Sequence, residues 1–172
     1  MGLRDRFPRR PRVPADVADH LGLEPGERVL AAATLDDGVT AAASSDRLLL
    51  ADGSGRSAAV PWHEVDTATW EPDGRVVDVR LVDGRVLRLA ILGDTRTLLP
   101  ETLRERVQSS VVLSRTVKVR GRRGVRVVVR RTRVGLVTQV LPDPGIALDD
   151  PDLAAEVDAV RREVEAAVGL AP

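Results

Sequence analysis

Between residues 28 and 92 the chain runs through short Val/Ala/Leu-rich stretches, each closed by Gly, Asp, Ser or Pro: 28–35, 39–44, 47–51, 57–62, 65–70, 75–81 and 85–92. Short apolar runs at even spacing, punctuated by turn residues, predict an all-β sandwich or barrel. The turns are Asp36-Asp37-Gly38, Ser44-Ser45-Asp46, Asp52-Gly53-Ser54-Gly55, Glu71-Pro72-Asp73-Gly74 and Val82-Asp83-Gly84. Pro72 suits the second place of a turn, and the glycines are placed to take positive φ. At Asp83-Gly84 side-chain parity sets the register. A two-residue loop would put Val79 opposite Arg88 and mix apolar with charged residues on each face. A three-residue loop with Gly84 in a bulge pairs Val79 with Leu87 and Val77 with Leu89 on one face, and Asp78 with Arg88 on the other.

The pattern then changes period. Leu99, Leu103, Val107 and Val111 recur every four residues, which predicts one amphipathic helix over 98–111, with Pro100 tolerated in its first turn. Val alternates with basic residues over 112–120 and 124–131, and 134–141 makes a third strand. Asp150 is a fitting N-cap and Pro151 a fitting first residue for a last helix that Gly169 can close, with Leu153, Val157, Val160, Val164 and Val168 as its apolar stripe. At the other end, Arg4, Arg6, Arg9, Arg10 and Arg12 among Pro8, Pro11 and Pro14 predict a basic arm. A short packing helix follows, with Val17 and Leu21 on one face and Gly22 ending it. The expected organisation is an arm and helix over 1–24, a seven-stranded domain with its helix over 25–112, and a strand-plus-helix extension over 113–172.

Composition narrows the chemistry. The 172 residues hold 26 Lys plus Arg against 26 Asp plus Glu, so no global field favours polyanions, although local patches survive the cancellation. With no Cys, disulfides, thiolate metal sites and thiol nucleophiles are excluded. A single Phe, two Trp and no Tyr leave the core to small aliphatic side chains. Basic residues are Arg throughout except Lys118, which reads as high-G+C bacterial coding bias. No apolar run reaches membrane-spanning length, and no hydrophobic segment follows the charged start, so the expected location is cytoplasmic.

Gly26-Glu27-Arg28-Val29-Leu30 enters the first strand, Ser45-Asp46-Arg47-Leu48-Leu49-Leu50 the third, and Val60-Pro61-Trp62-His63-Glu64-Val65 makes the fourth turn. With the Asp83-Gly84 hairpin and the helix at 98–111, this order resembles a pleckstrin-homology-like domain of the small bacterial, actinobacterial kind, over residues 25 to 112. The resemblance implies a partly open seven-stranded barrel or sandwich capped by a helix, used for peptide or lipid binding, protein association and self-assembly. Phosphoinositide-binding members carry Lys and Arg between the first two strands. Here that loop, Leu35-Asp36-Asp37-Gly38, is acidic, which argues against inositol phosphates.

No catalytic, metal or cofactor constellation emerges. His63, Glu64 and Asp66 would split between the two faces of an extended strand, no serine lies in a nucleophile-elbow setting, and Gly121-Arg122-Arg123-Gly124 opens no helix and reads as a hairpin connection. Trp62, on the face of Val60, belongs to the core or its semi-buried rim, whereas Trp70 is a candidate interface residue, as is the stripe Leu153, Val157, Val160, Val164 and Val168. Arg115, Lys118, Arg120, Arg122, Arg123, Arg126, Arg130, Arg131 and Arg133 form a basic run without an acid between them, and Asp143, Asp149, Asp150, Asp152, Glu156, Asp158, Glu163 and Glu165 an acidic block. Docking of the two blocks, within the chain or between copies, competes with an external polyanion. The expected function is a non-enzymatic binding or assembly module that contacts another protein or a second copy. The alternative is a nucleic-acid or anionic-lipid binder working through the run 115–133.

Overall fold

The computed structural model describes residue 13 and residues 15–93 and 97–170; the basic arm expected over 1–14 lies, Val13 apart, outside the described residues. The described residues are mainly β, with three antiparallel sheets and two long helices. It divides into two compact units, one running to Arg106 and the other starting at Val107. No helix among the described residues is long and apolar enough to cross a membrane.

In the first unit a short helix, α1 (Ala15–Ala18), runs into a 3₁₀ turn, and Gly22 ends it at φ 61°. Four strands follow in sequence order in one sheet: β1 (Val29–Thr34), β2 (Thr40–Ser44), β3 (Arg47–Ala51) and β4 (Ser57–Pro61). A 3₁₀ turn at Trp62–Glu64 leads to a second sheet of β5 (Val65–Glu71), β6 (Val76–Leu81) and β7 (Val86–Ala90). The sheets meet at one corner, where Leu35 bridges Ile91, the Asp36 N–H donates to the Ala90 carbonyl and the Leu92 N–H to the Thr34 carbonyl, each at 2.9 Å. The barrel is not closed. The helix α2 (Leu99–Ser110) follows Thr97, whose hydroxyl receives the Leu99 N–H and donates to the Ala32 carbonyl of β1.

Alternation explains most of this core. Val77 and Val79 of β6 and Leu89 of β7 are buried on one face, and the register pairs Val79 with Leu87, Val77 with Leu89 and Asp78 with Arg88, as the three-residue loop requires. Gly84 has φ 87°. The Arg88 guanidinium lies 3.7 Å from the Glu71 carboxylate across the sheet. All five residues of β2 are buried, because α1 and its turn cover a face that a two-layer sandwich leaves open: Val17 and Leu21 pack on Ala42, Leu49 and Ala51, while Ala41, Ala43 and Leu48 are buried on the other face. One turn departs from expectation. Between β5 and β6 the positive φ falls on Arg75, at 51°, and not on Gly74, because the turn takes in Arg75 and closes through its own N–H to the Pro72 carbonyl.

The second unit holds β8 (Val111–Arg120), β9 (Arg123–Thr132) and β10 (Gly135–Pro142) in the order β10-β9-β8, and the helix α3 (Pro151–Ala167). The α3 caps match their sequence signals. The Asp150 carboxylate accepts the N–H groups of Asp152 and Leu153, and Gly169 turns left-handed so that the Leu170 N–H reaches the Glu165 carbonyl. The stripe of α3 lies on its own sheet. Val157 and Val164 are buried among Val117, Val125, Val127 and Val129, with Leu153, Val160 and Val168 at the margin. The two glycines of Gly121-Arg122-Arg123-Gly124 have separate structural reasons. Gly121 takes φ 56° in the first place of a two-residue turn, and a Cβ on Gly124 would stand 2.1 Å from the Val117 carbonyl oxygen of β8.

Candidate functional site

The three segments that carry the resemblance converge on one polar cluster in the first unit. Glu27, just before β1, has a side chain with no solvent exposure. Its carboxylate accepts from the Arg47 guanidinium of β3 at 2.6 and 3.2 Å, from the Glu24 N–H at 2.9 Å, and through a short bond from the Ser44 hydroxyl at the end of β2. Arg47 also reaches the Gly22 carbonyl at 3.0 Å and the Glu24 carboxylate at 3.3 Å. The Trp62 indole N–H donates to the Ser44 carbonyl at 3.2 Å, which closes the cluster over the core. Burial alone raises the Glu27 pKa, but the hydrogen bonds from Arg47 and Ser44 and the charge of Arg47 outweigh it and hold the carboxyl below its ordinary value. Glu27 keeps its charge through this pairing.

A serine held by a carboxylate resembles part of a nucleophile system, but Ser44 is fully buried and its hydroxyl also accepts the N–H groups of Asp46 and Arg47. Glu27 and Arg47 were not marked by any motif of chemistry. The available signal was a Glu and an Arg beside apolar strand starts, which reads as solvated ends until the register brings them together.

The histidines stand apart from this cluster. His20 lies in the 3₁₀ turn beside Gly55, and its buried Nδ1 has no hydrogen-bond partner among the described residues. His63 sits in the 3₁₀ turn that begins at Trp62, so the strand parity expected to separate it from Glu64 does not apply, because the backbone turns there. Among the described residues no three His, Asp or Glu side chains are grouped as metal ligands would be.

The basic run does not form one surface. Register places Val125, Val127 and Val129 toward α3 as the alternation requires, but Arg115 and Arg131 share that helix-facing side at its margins, while Arg126 and Arg130 take the other. That second face is not an open basic surface. Val128 and Arg130 are each only 1% exposed, and the Arg130 guanidinium donates to the Ser110 hydroxyl at 2.8 Å. Arg130 therefore cannot grip an external phosphate as the run of arginines implied, since burial withdraws it from solvent. Lys118, Arg120, Arg122 and Arg123 stand exposed around the β8–β9 turn, and Arg131 and Arg133 at the far end of the sheet.

Within the chain, and among the described residues, the acidic block forms no ion pair with these cations. Asp158 pairs with Arg161 and Arg162, and Glu165 with Arg161, all within α3. Asp149, Asp152, Glu156 and Glu163 are exposed and form no ion pair among the described residues. Among the described residues it is apolar packing that seats α3 on its sheet, and that sheet covers the helix stripe within one chain.

Trp70 is 36% exposed near the end of β5, an edge strand. It shares a face with buried Val77 and Leu89, so the core face of the second sheet reaches solvent there. No protein-family model, curated protein or solved structure matches this chain.

Proposed function

We propose that this chain is a non-enzymatic protein-binding module of the pleckstrin-homology-like type, and that it takes an extended segment of a partner protein, or of a second copy, along the open edge of β5. The seven-strand meander, joined at the Leu35–Ile91 corner and followed by α2, supports the fold reading. The observation that carries the function is Trp70. A large aromatic side chain at the rim of a buried face, on a strand that pairs on one side only, offers both an anchor and a row of backbone donors and acceptors.

The test is selection of extended peptides from a displayed library against the full chain, with binding followed by tryptophan fluorescence and the oligomeric state by sedimentation. Selected peptides, or a second copy, are expected to change the Trp70 signal, and Trp70→Ala is expected to weaken binding at least about tenfold while the circular dichroism stays unchanged. Ligands that bind Trp70→Ala as tightly as the parent overturn the reading.

A further inference from the structure

We propose that the tip of the β8–β9 hairpin is a docking site for duplex DNA, recognised through its phosphates. Four cations, Lys118, Arg120, Arg122 and Arg123, lie within six residues there and all are exposed. None of them has an ion pair or a side-chain hydrogen bond among the described residues. Other turns of the chain treat their arginines differently. Arg56 bonds to Asp52 at 2.9 Å and Arg85 to Asp83 at 2.6 Å, so those turns neutralise their own cations. Beside the tip the Asp143 carboxylate is engaged with the backbone, accepting the Gly124 N–H at 2.9 Å, while its own N–H donates to the Gly124 carbonyl.

The register adds a second observation. Arg120 pairs directly with Arg123 across the ladder, a like-charge pair that disfavours the hairpin it closes. An external anion bound between them relieves that repulsion. Gly121 in its left-handed conformation fixes the turn, so the cations are presented by a defined ribbon.

The distribution of charge selects the anion. Arg120 and Arg123 lie on the side of Val125, Lys118 lies on the opposite side with Gly124, and Arg122 is at the apex. Cations on both faces and at the apex suit a groove whose two walls both carry phosphate. A two-stranded ribbon has strands about 5 Å apart, and the B-DNA major groove, about 12 Å wide, admits such a ribbon with its side chains. The deep, narrow major groove of A-form RNA does not. Insertion into a bilayer calls for an apolar apex, whereas Gly121 and Arg122 occupy it here, with Val119 the one exposed apolar residue beside them. The tip holds no aromatic residue for stacking on unpaired bases.

The test measures fluorescence anisotropy of a labelled random-sequence DNA duplex with the full chain over a KCl series. Four phosphate contacts predict a log–log salt slope of about −3.6, so that a threefold rise in salt weakens binding about fiftyfold. The variant Arg120→Gln/Arg122→Gln/Arg123→Gln is expected to bring the tip's contribution to the slope down to about −0.9. Both proteins carry the same arginines over residues 4–12, so the difference reads the tip alone. Arg131→Gln, at the far end of the sheet, is expected to leave binding unchanged, and all variants to keep the parent circular dichroism. Failure of the parent to bind duplex at low salt, an unchanged slope in the triple variant, equal or tighter binding of single-stranded DNA, or tip-dependent binding of phosphatidylserine vesicles in preference to the duplex would each overturn the proposal.

Discussion

Removing the Glu27 carboxylate tests whether the buried polar cluster holds the first unit together. Glu27→Ala deletes an acceptor of bonds from Arg47, Ser44 and Glu24 at a side chain with no solvent exposure. Loss of one partner of a buried ion pair costs about 3 to 5 kcal/mol, because the other is left uncompensated. The Arg47 side chain is 19% exposed and keeps the Gly22 carbonyl and the Glu24 carboxylate, so the lower end, about 3 kcal/mol, is expected. Arg47→Ala is expected to cost a similar amount, since it strands Glu27 in the interior, and the double variant less than the sum, with a coupling of about 2 kcal/mol. Urea unfolding followed by tryptophan fluorescence suits the measurement, because Trp62 and Trp70 both lie in the unit that ends at Arg106. The acid limb gives an independent check. The Glu27 pKa is lowered in the folded state, so the unfolded state binds more protons in acid. The stabilisation is complete above the unfolded carboxyl value, about 4.3, and is lost as pH falls through the folded value. Glu27→Gln should therefore flatten the fall in stability below about pH 5. A change under about 1 kcal/mol for Glu27→Ala, or additive single variants, would refute the view that these groups act as one unit.

Gly124→Ala is expected to destabilise the second unit by about 3 kcal/mol, since the new Cβ would meet the Val117 carbonyl oxygen at 2.1 Å; hydrogen exchange over β8 and β9 reads it, and protection equal to the parent would contradict it. Val164→Ala, beneath α3, should cost the same unit about 2 kcal/mol through a cavity among Val125, Val127 and Val129, measured by thermal unfolding followed by circular dichroism. The Asp52 carboxyl, held at about 2 chiefly by the Ser54 hydroxyl and then by the N–H groups of Arg56 and Ser54 and the Arg56 side chain, should titrate there by NMR and move up toward its ordinary value in Ser54→Ala.

The local pattern of the chain carried the elements. Alternation and turn residues defined the strands of the first unit to within a residue or two, the parity of Val77, Val79, Leu87 and Leu89 settled the loop at Gly84, and Asp150, Pro151 and Gly169 bounded α3. These signals lie between neighbours a few residues apart, where backbone geometry acts directly. The tertiary structure decided what such neighbours do not encode. Glu27 and Arg47 are 20 residues apart and meet only because β1, β2 and β3 stack in register. The whole of β2 is buried only because α1 and its turn close the outer face of its sheet. The basic run looked continuous because adjacent residues share a sign, yet alternate residues of a strand face opposite ways and the two ends of a strand lie far apart. Packing then removed Arg130 from solvent, set Arg115 and Arg131 at the margins of the helix-facing side, and left the exposed cations of the β8–β9 tip as a compact group, because charge along a strand is sorted by which face the fold covers.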